Sequence, residues 1–78
     1  NDNSDYIFKR ITTDIYELET SNDNRIEGLQ LIDLMGRLLK VNTLFEDHST
    51  IRFQIENKGP VLVIFTINGQ KTVVRIHG

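Results

Sequence analysis

Asp47, His48 and Ser49 stand next to one another and are the residue types of a nucleophilic catalytic triad. In a triad the serine attacks, the histidine takes its proton and the aspartate orients the histidine, so the side chains must converge from separate elements. Sequence neighbours do not converge in that way, and we interpret the tripeptide as part of a connecting loop. Glu46, Asp47 and His48 could at most hold a divalent ion weakly.

The sequence also lacks the patterns of metal sites, disulfides and phosphate-binding loops. Cysteine is absent, which excludes disulfides and thiolate metal sites. The two histidines, His48 and His77, are too few for a zinc cage. The glycines are isolated, so no phosphate-binding loop follows a strand. We therefore expect no catalytic residues, no metal site and no cofactor, and we do not expect an enzyme.

The clearest structural elements lie in residues 50–77. Ile51, Phe53 and Ile55 alternate with polar residues, which is the pattern of a half-buried strand. Residues 61–67 are apolar on both faces, as in a central strand. With a further strand after them, these segments predict a three-stranded antiparallel meander.

Two turns set the register of this meander. Asn68-Gly69 is a strong signal for a two-residue hairpin turn, and a three-residue loop at 57–59 would join the first two strands. The first turn sets Val63 opposite Val74, and the second sets Phe53 opposite Val63. Both turns predict the same buried face: Ile51, Phe53, Ile55, Val61, Val63, Phe65, Val74 and Ile76.

The opposite face then carries a candidate site, which we call the predicted patch. It has an apolar centre and a basic rim: Leu62, Ile64 and Val73, surrounded by Arg52, Lys71 and Arg75. One interpretation is a solvated face on which arginine stems shield the aliphatic side chains. The other is a contact surface for a second copy of the chain or for an acidic and apolar segment.

The N-terminal half favours two amphipathic helices. Apolar residues between Ile7 and Leu18 recur at steps of four, four and three, so residues 5–19 predict a helix with one buried stripe. Apolar residues also cover one side of a helix drawn through residues 30–40.

Residues 25–41 leave a second interpretation open, in which strands at 26–32 and 37–41 pair around a turn at 33–36. That turn would expose Leu34 and Met35, which is unfavourable.

This alternative carries a family resemblance. The segments Ile-Glu-Gly-Leu-Gln-Leu-Ile-Asp at 26–33 and Gly-Arg-Leu-Leu at 36–39 follow a helical pattern. In that order, residues 6–40 resemble roadblock domains, which implies a five-stranded sheet in a scaffold subunit. The chain departs from that family because only residues 42–49 are available where a long second helix is expected.

The whole chain of 78 residues has the length of one domain. We predict a single α+β domain over residues 1–78, with two N-terminal helices packed on one face of the C-terminal meander. No apolar run approaches the roughly 20 residues of a membrane span, and no signal peptide is evident. With the absence of cysteine, this favours the cytoplasm.

The function that these features favour is a small protein-interaction domain: a regulatory, adaptor or scaffold subunit, or a dimerisation module. It would use a sheet face or an edge strand, and a homo-oligomer is expected. The alternative is a nucleic-acid-associated factor that uses Arg52, Lys58, Lys71 and Arg75. The formal net charge of −2 argues against that alternative.

Overall fold

The computed structural model describes residues 6–21, 24–56 and 59–77. These residues contain eight strands and no helix: β1 (Tyr6–Arg10), β2 (Ile15–Thr20), β3 (Ile26–Asp33), β4 (Leu38–Leu39), β5 (Asn42–Glu46), β6 (Thr50–Gln54), β7 (Val61–Ile67) and β8 (Gln70–Ile76). The first sheet has the strand order β1-β2-β6-β5 and the second β4-β3-β7-β8, and all pairs are antiparallel. The predicted α+β class is therefore wrong, because the described chain is all-β.

The helix predicted for residues 5–19 is instead the β1–β2 hairpin (residue 5 lies outside the described ranges). The helical stripe treated Ile7 and Ile11 as buried, yet both side chains are exposed. β2 points Tyr16 and Leu18 into the core, and the residue between them is a glutamate. Tyr6 and Phe8 of β1 pack against the same core. Apolar residues four positions apart lie on both sides of the loop between the strands, so their spacing imitated a helix.

The helix predicted for residues 30–40 is also wrong, and the alternative hairpin interpretation is confirmed. β3 and β4 pair around a tight turn, with Leu31 opposite Leu39. Gly36 takes a φ of 83°, a left-handed value that favours glycine. The turn does expose Leu34 and Met35, the latter to 79%.

The hydrogen bonds of Asp33 explain why the chain accepts that exposure. Its Oδ1 atom accepts hydrogen bonds from the backbone N–H groups of Met35 and Arg37, both at 2.9 Å. The Nε atom of Arg37 donates to Asp33 Oδ2 at 2.9 Å. One carboxylate therefore satisfies three donors of the turn, which is the stabilising role of aspartate in such turns.

The β7–β8 hairpin is confirmed in turn and in register. Asn68 and Gly69 have φ values of 52° and 79°, as a type I′ turn requires. Val63 lies opposite Val74, as predicted.

The strand predicted to pair with the other edge of β7 is wrong. β6 belongs to the first sheet, where Phe53 lies opposite Tyr16 rather than Val63. The partner of β7 on that side is β3. The connecting loop predicted at 57–59 falls partly outside the described residues.

The predicted buried face is nevertheless buried, because strand alternation decides which side chains point inward whatever the partner strand is. Phe53 of the first sheet and Phe65 of the second are fully buried. The ring of Tyr6 lies edge-on to Phe65 at 5.3 Å between centroids, which joins the two sheets. Burying one such aromatic contributes about 1.5–3 kcal/mol. The two sheets thus form a sandwich around a single core.

The turn of Asp33 predicts a response to acid. Donation from the backbone of Arg37, followed by that from its side chain and from Met35, holds the pKa of Asp33 below its ordinary value of 3.8. A carboxyl group whose pKa is lowered by folding stabilises the fold above its unfolded pKa and loses that effect as the pH falls through the folded pKa. Stability should therefore decline below about pH 4, and Asp33→Asn should flatten that decline.

Urea unfolding midpoints at pH 2, 3, 5 and 7 would measure this. The pKa of Asp14 is also lowered, chiefly by the hydrogen bond from the side chain of Gln54. Asp14→Asn should remove a separate part of the acid-induced loss of stability. The double variant should remove both parts, since the two turns lie in different sheets. An acid response of Asp33→Asn equal to that of the parent protein would contradict the account.

Candidate functional site

The Asp47-His48-Ser49 segment lies in the turn between β5 and β6, as predicted. Asp47 Oδ1 accepts hydrogen bonds from the backbone N–H groups of Ser49 and Thr50 at 3.0 and 2.9 Å. The carbonyl oxygen of His48 accepts one from the N–H of Ile26 at 3.1 Å. The aspartate therefore orders the turn and does not orient the histidine. Over residues 6–21, 24–56 and 59–77, no three His, Asp or Glu side chains are grouped as metal ligands.

The described surface has two concave regions that could hold a ligand. A cleft of about 190 Å³ opens between β3 and β5, with Glu46 as its charged residue. A second hollow of about 260 Å³ lies beside Lys40 and Glu56 and is open to solvent. Both volumes fall below the roughly 300–1,000 Å³ of typical small-molecule sites. The surface of the second sheet is a stronger candidate.

Five of the six residues of the predicted patch lie together on the outer face of the second sheet. In the β7–β8 register, Leu62 is opposite Arg75 and Ile64 is opposite Val73. Lys71 lies one step further along, opposite Thr66. Val73 is 53% exposed, so the centre of the patch reaches solvent at β8.

Arg52 lies elsewhere. It belongs to β6, on the outer face of the first sheet, opposite Glu17 of β2. Its Nη2 and Nε atoms donate to Glu17 Oε1 at 3.1 and 3.3 Å. The predicted grouping of Arg52 with the patch is wrong, because it depended on pairing between β6 and β7.

Two apolar residues that the sequence interpretation missed extend the surface across the sheet. Ile32 of β3 lies opposite Leu62 on one side and opposite Leu38 of β4 on the other. Leu38 is 68% exposed. Both lie in the segment that the sequence left open between a helix and a hairpin, and the hairpin alternative places them in strands, as the structure does. The predicted patch did not include them because β7 was paired with β6 instead of β3. We call the resulting surface the apolar row: Leu38, Ile32, Leu62, Ile64 and Val73.

The charges beside the apolar row are unevenly distributed. Lys71 and Arg75 are exposed on β8, at one margin of the face. Glu27 lies on β3, opposite Thr66, which in turn lies opposite Lys71. Two strand spacings of about 4.8 Å therefore separate Glu27 from Lys71. The β8 margin is thus cationic, whereas the β3 side carries an acid.

β8 is also an edge strand. In the described part of the chain it pairs with β7 alone. After a two-residue turn, the residues next to the turn face each other as a hydrogen-bonded pair, and every second residue repeats that arrangement. Gln70, Thr72, Val74 and Ile76 consequently direct their backbone groups towards β7, so Lys71, Val73 and Arg75 direct theirs outward.

Comparison with known proteins leaves the domain without an assigned relative. No family model, no curated protein and no solved structure matches the chain. The resemblance to roadblock domains gains no support from this, and the helix with which it begins is the β1–β2 hairpin. The described residues include no helix that is long and apolar enough to cross a membrane.

The position of Arg52 can be tested by a double-mutant cycle. Arg52→Ala and Glu17→Ala should show a coupling of about 0.2–1 kcal/mol in urea unfolding, as is usual for an ion pair at the protein surface. Arg52→Ala and Arg75→Ala should be additive, because the two residues lie on different sheets. Coupling of Arg52 with Arg75 and none with Glu17 would place Arg52 back in the patch.

Proposed function

We propose that this domain is a protein-interaction module that binds an extended segment of another protein on the outer face of its second sheet. The observation that carries the proposal is the apolar row. It crosses all four strands of a sheet whose other face already forms the core. Contiguous apolar surface on a small domain marks interaction sites.

The first sheet provides an internal comparison. Its two central strands, β2 and β6, carry the ion pair of Glu17 and Arg52 on the outer face, with the Arg52 side chain 45% exposed and the Glu17 side chain 12% exposed. The central strands of the second sheet, β3 and β7, present Ile32 and Leu62. Because both pairs occupy the middle of an outer face, the difference is not imposed by the fold. It supports a binding role for the second sheet.

Shielding by long side chains explains only part of this surface. Arg75 lies opposite Leu62 and its stem can cover that residue. Leu38 and Val73, at the two ends of the apolar row, remain more than half exposed. The edge strands of the first sheet also expose Ile7 and Phe45. The two faces therefore differ in their centres, where the second sheet carries Ile32 and Leu62 in place of an ion pair.

The nucleic-acid alternative loses its main support. Of its four cations, Arg52 lies on the other sheet beside Glu17, and Lys58 falls outside the described residues. The remaining two, Lys71 and Arg75, share their face with Glu27. Nucleic-acid binding depends on a basic field, which this distribution does not provide.

A peptide-display selection tests the proposal. Heptapeptides selected on the immobilised domain should perturb the amide signals of β7 and β8. Val73→Gln should weaken their binding by about fivefold or more, because a half-buried valine contact is lost. Ile7→Gln is the matched control, since Ile7 is 58% exposed on the outer face of the first sheet. Its binding should equal that of the parent domain.

The opposite result would remove the proposed function. Selected peptides that respond to Ile7→Gln and not to Val73→Gln would place binding on the first sheet. A selection that returns no specific binder would also count against the proposal.

A further inference from the structure

We infer that the occupant of the second sheet is an acidic-apolar-acidic strand, in which two carboxylates flank an apolar residue at every second position, added antiparallel along the outer edge of β8. The inference rests on the proposed function and names the chemistry of the partner. Its first support is the geometry of the sheet edges.

Among the four edge strands that the described residues form, β8 is the one best shaped to accept another strand. It is seven residues long and pairs with β7 at every position without interruption. β1 is also regular but has five residues. β4 has two residues, and the pairing of β5 with β6 is broken by a bulge between Thr43 and Phe45. Short and bulged edges resist strand addition, whereas a long regular edge offers a row of unpaired backbone groups.

The groups that an added strand would meet are those of Lys71, Val73 and Arg75. Their backbone N–H and C=O groups point away from β7, and their side chains lie on the face of the apolar row. An added strand would therefore form its hydrogen bonds at these residues. It would place alternate side chains beside a cation, a valine and a second cation, and its central side chain would extend the apolar row.

A second copy of this chain does not fit this edge. If two β8 strands pair antiparallel over their full length, Lys71 lies opposite Arg75 of the second copy, and the reverse pair repeats the clash. Like charges directly opposite each other destabilise a strand pair. Carboxylates at the same two positions would instead form two cross-strand ion pairs. Charge complementarity thus favours an acidic partner over self-association.

The probe for this inference is a capped heptapeptide of sequence Thr-Glu-Thr-Val-Thr-Glu-Thr. With its valine opposite Val73, its two glutamates lie opposite Arg75 and Lys71. We expect saturable binding to the intact domain, measured by amide chemical shifts and calorimetry. Lysine in place of both glutamates should weaken binding by about tenfold or more, because two attractive pairs become repulsive.

Charge exchange on the protein should invert that preference. The double variant Lys71→Glu with Arg75→Glu should bind the lysine peptide better than the glutamate peptide. Arg25→Glu with Lys40→Glu makes the same change in net charge at exposed residues outside β8. This control should keep the preference of the parent domain. If both double variants had an equal effect, net charge alone would explain the binding preference, and the inference would be overturned.

Backbone methylation separates edge addition from binding on the face. N-methylation of the central valine removes the N–H group that would pair with Val73, so binding should be lost. N-methylation of the threonine that follows it removes a group that points to solvent in the antiparallel arrangement, so binding should be retained. Equal binding of both methylated peptides would overturn the inference.

The inference and the proposed function can fail separately. If both methylated peptides bind and Val73→Gln still weakens binding, the face binds and the edge does not, so the proposed function stands alone. The same conclusion follows if the heptapeptide does not bind at about 1 mM while display peptides map to β7 and β8. If neither kind of peptide contacts the second sheet, both are wrong.

Discussion

The burial of two sheet faces against each other is the constraint on which the rest of this structure depends. The chain has no disulfide, since it has no cysteine, so a single core must hold eight short strands together. Phe53 and Phe65 enter that core from different sheets, and each leaves no surface exposed. Because side chains alternate along a strand, a sheet that buries one face in the core leaves its other face to solvent. The two outer faces are therefore the surfaces on which a binding function can be built.

The two outer faces carry different kinds of residue at their centres. On the first sheet, Glu17 and Arg52 pair across the central strands, as expected of a surface that remains in water. On the second sheet, Ile32 and Leu62 occupy the corresponding place, and the apolar row runs from β4 to β8. The row ends at a long regular edge strand with two cations. Apolar surface, free backbone groups and charge thus meet at one margin of the molecule, which is the arrangement that strand addition requires.

Local patterns in the sequence predicted part of this fold, but they did not predict which distant strands pair. The turn at Asn68-Gly69 and its register depend on a few adjacent residues, and so do the faces of β6 and β7, since alternation does not depend on the partner strand. Whether β6 pairs with β7 or crosses to the other sheet is decided by burial between sheets, which no local pattern shows. That error moved Arg52 into the patch. The helical assignments failed because spacings of three and four arise in two strands joined by a loop, and because Asp33 stabilises a turn that exposes Leu34 and Met35. The outer face of β7–β8 was predictable for the same reason as its register. Ile32 and Leu38 were left out of the patch because the pairing of β3 with β7 is non-local.

Backbone proton contacts measured by NMR test the two-sheet arrangement most directly. The structure places Tyr16 opposite Phe53 and Leu31 opposite Val63, in different sheets. It therefore predicts nuclear Overhauser effects between the backbone protons of each pair and none between the backbones of Phe53 and Val63. Backbone contacts between Phe53 and Val63 would show that β6 and β7 are neighbours in one meander. That result would contradict the sandwich and would return Arg52 to the surface that carries Val73.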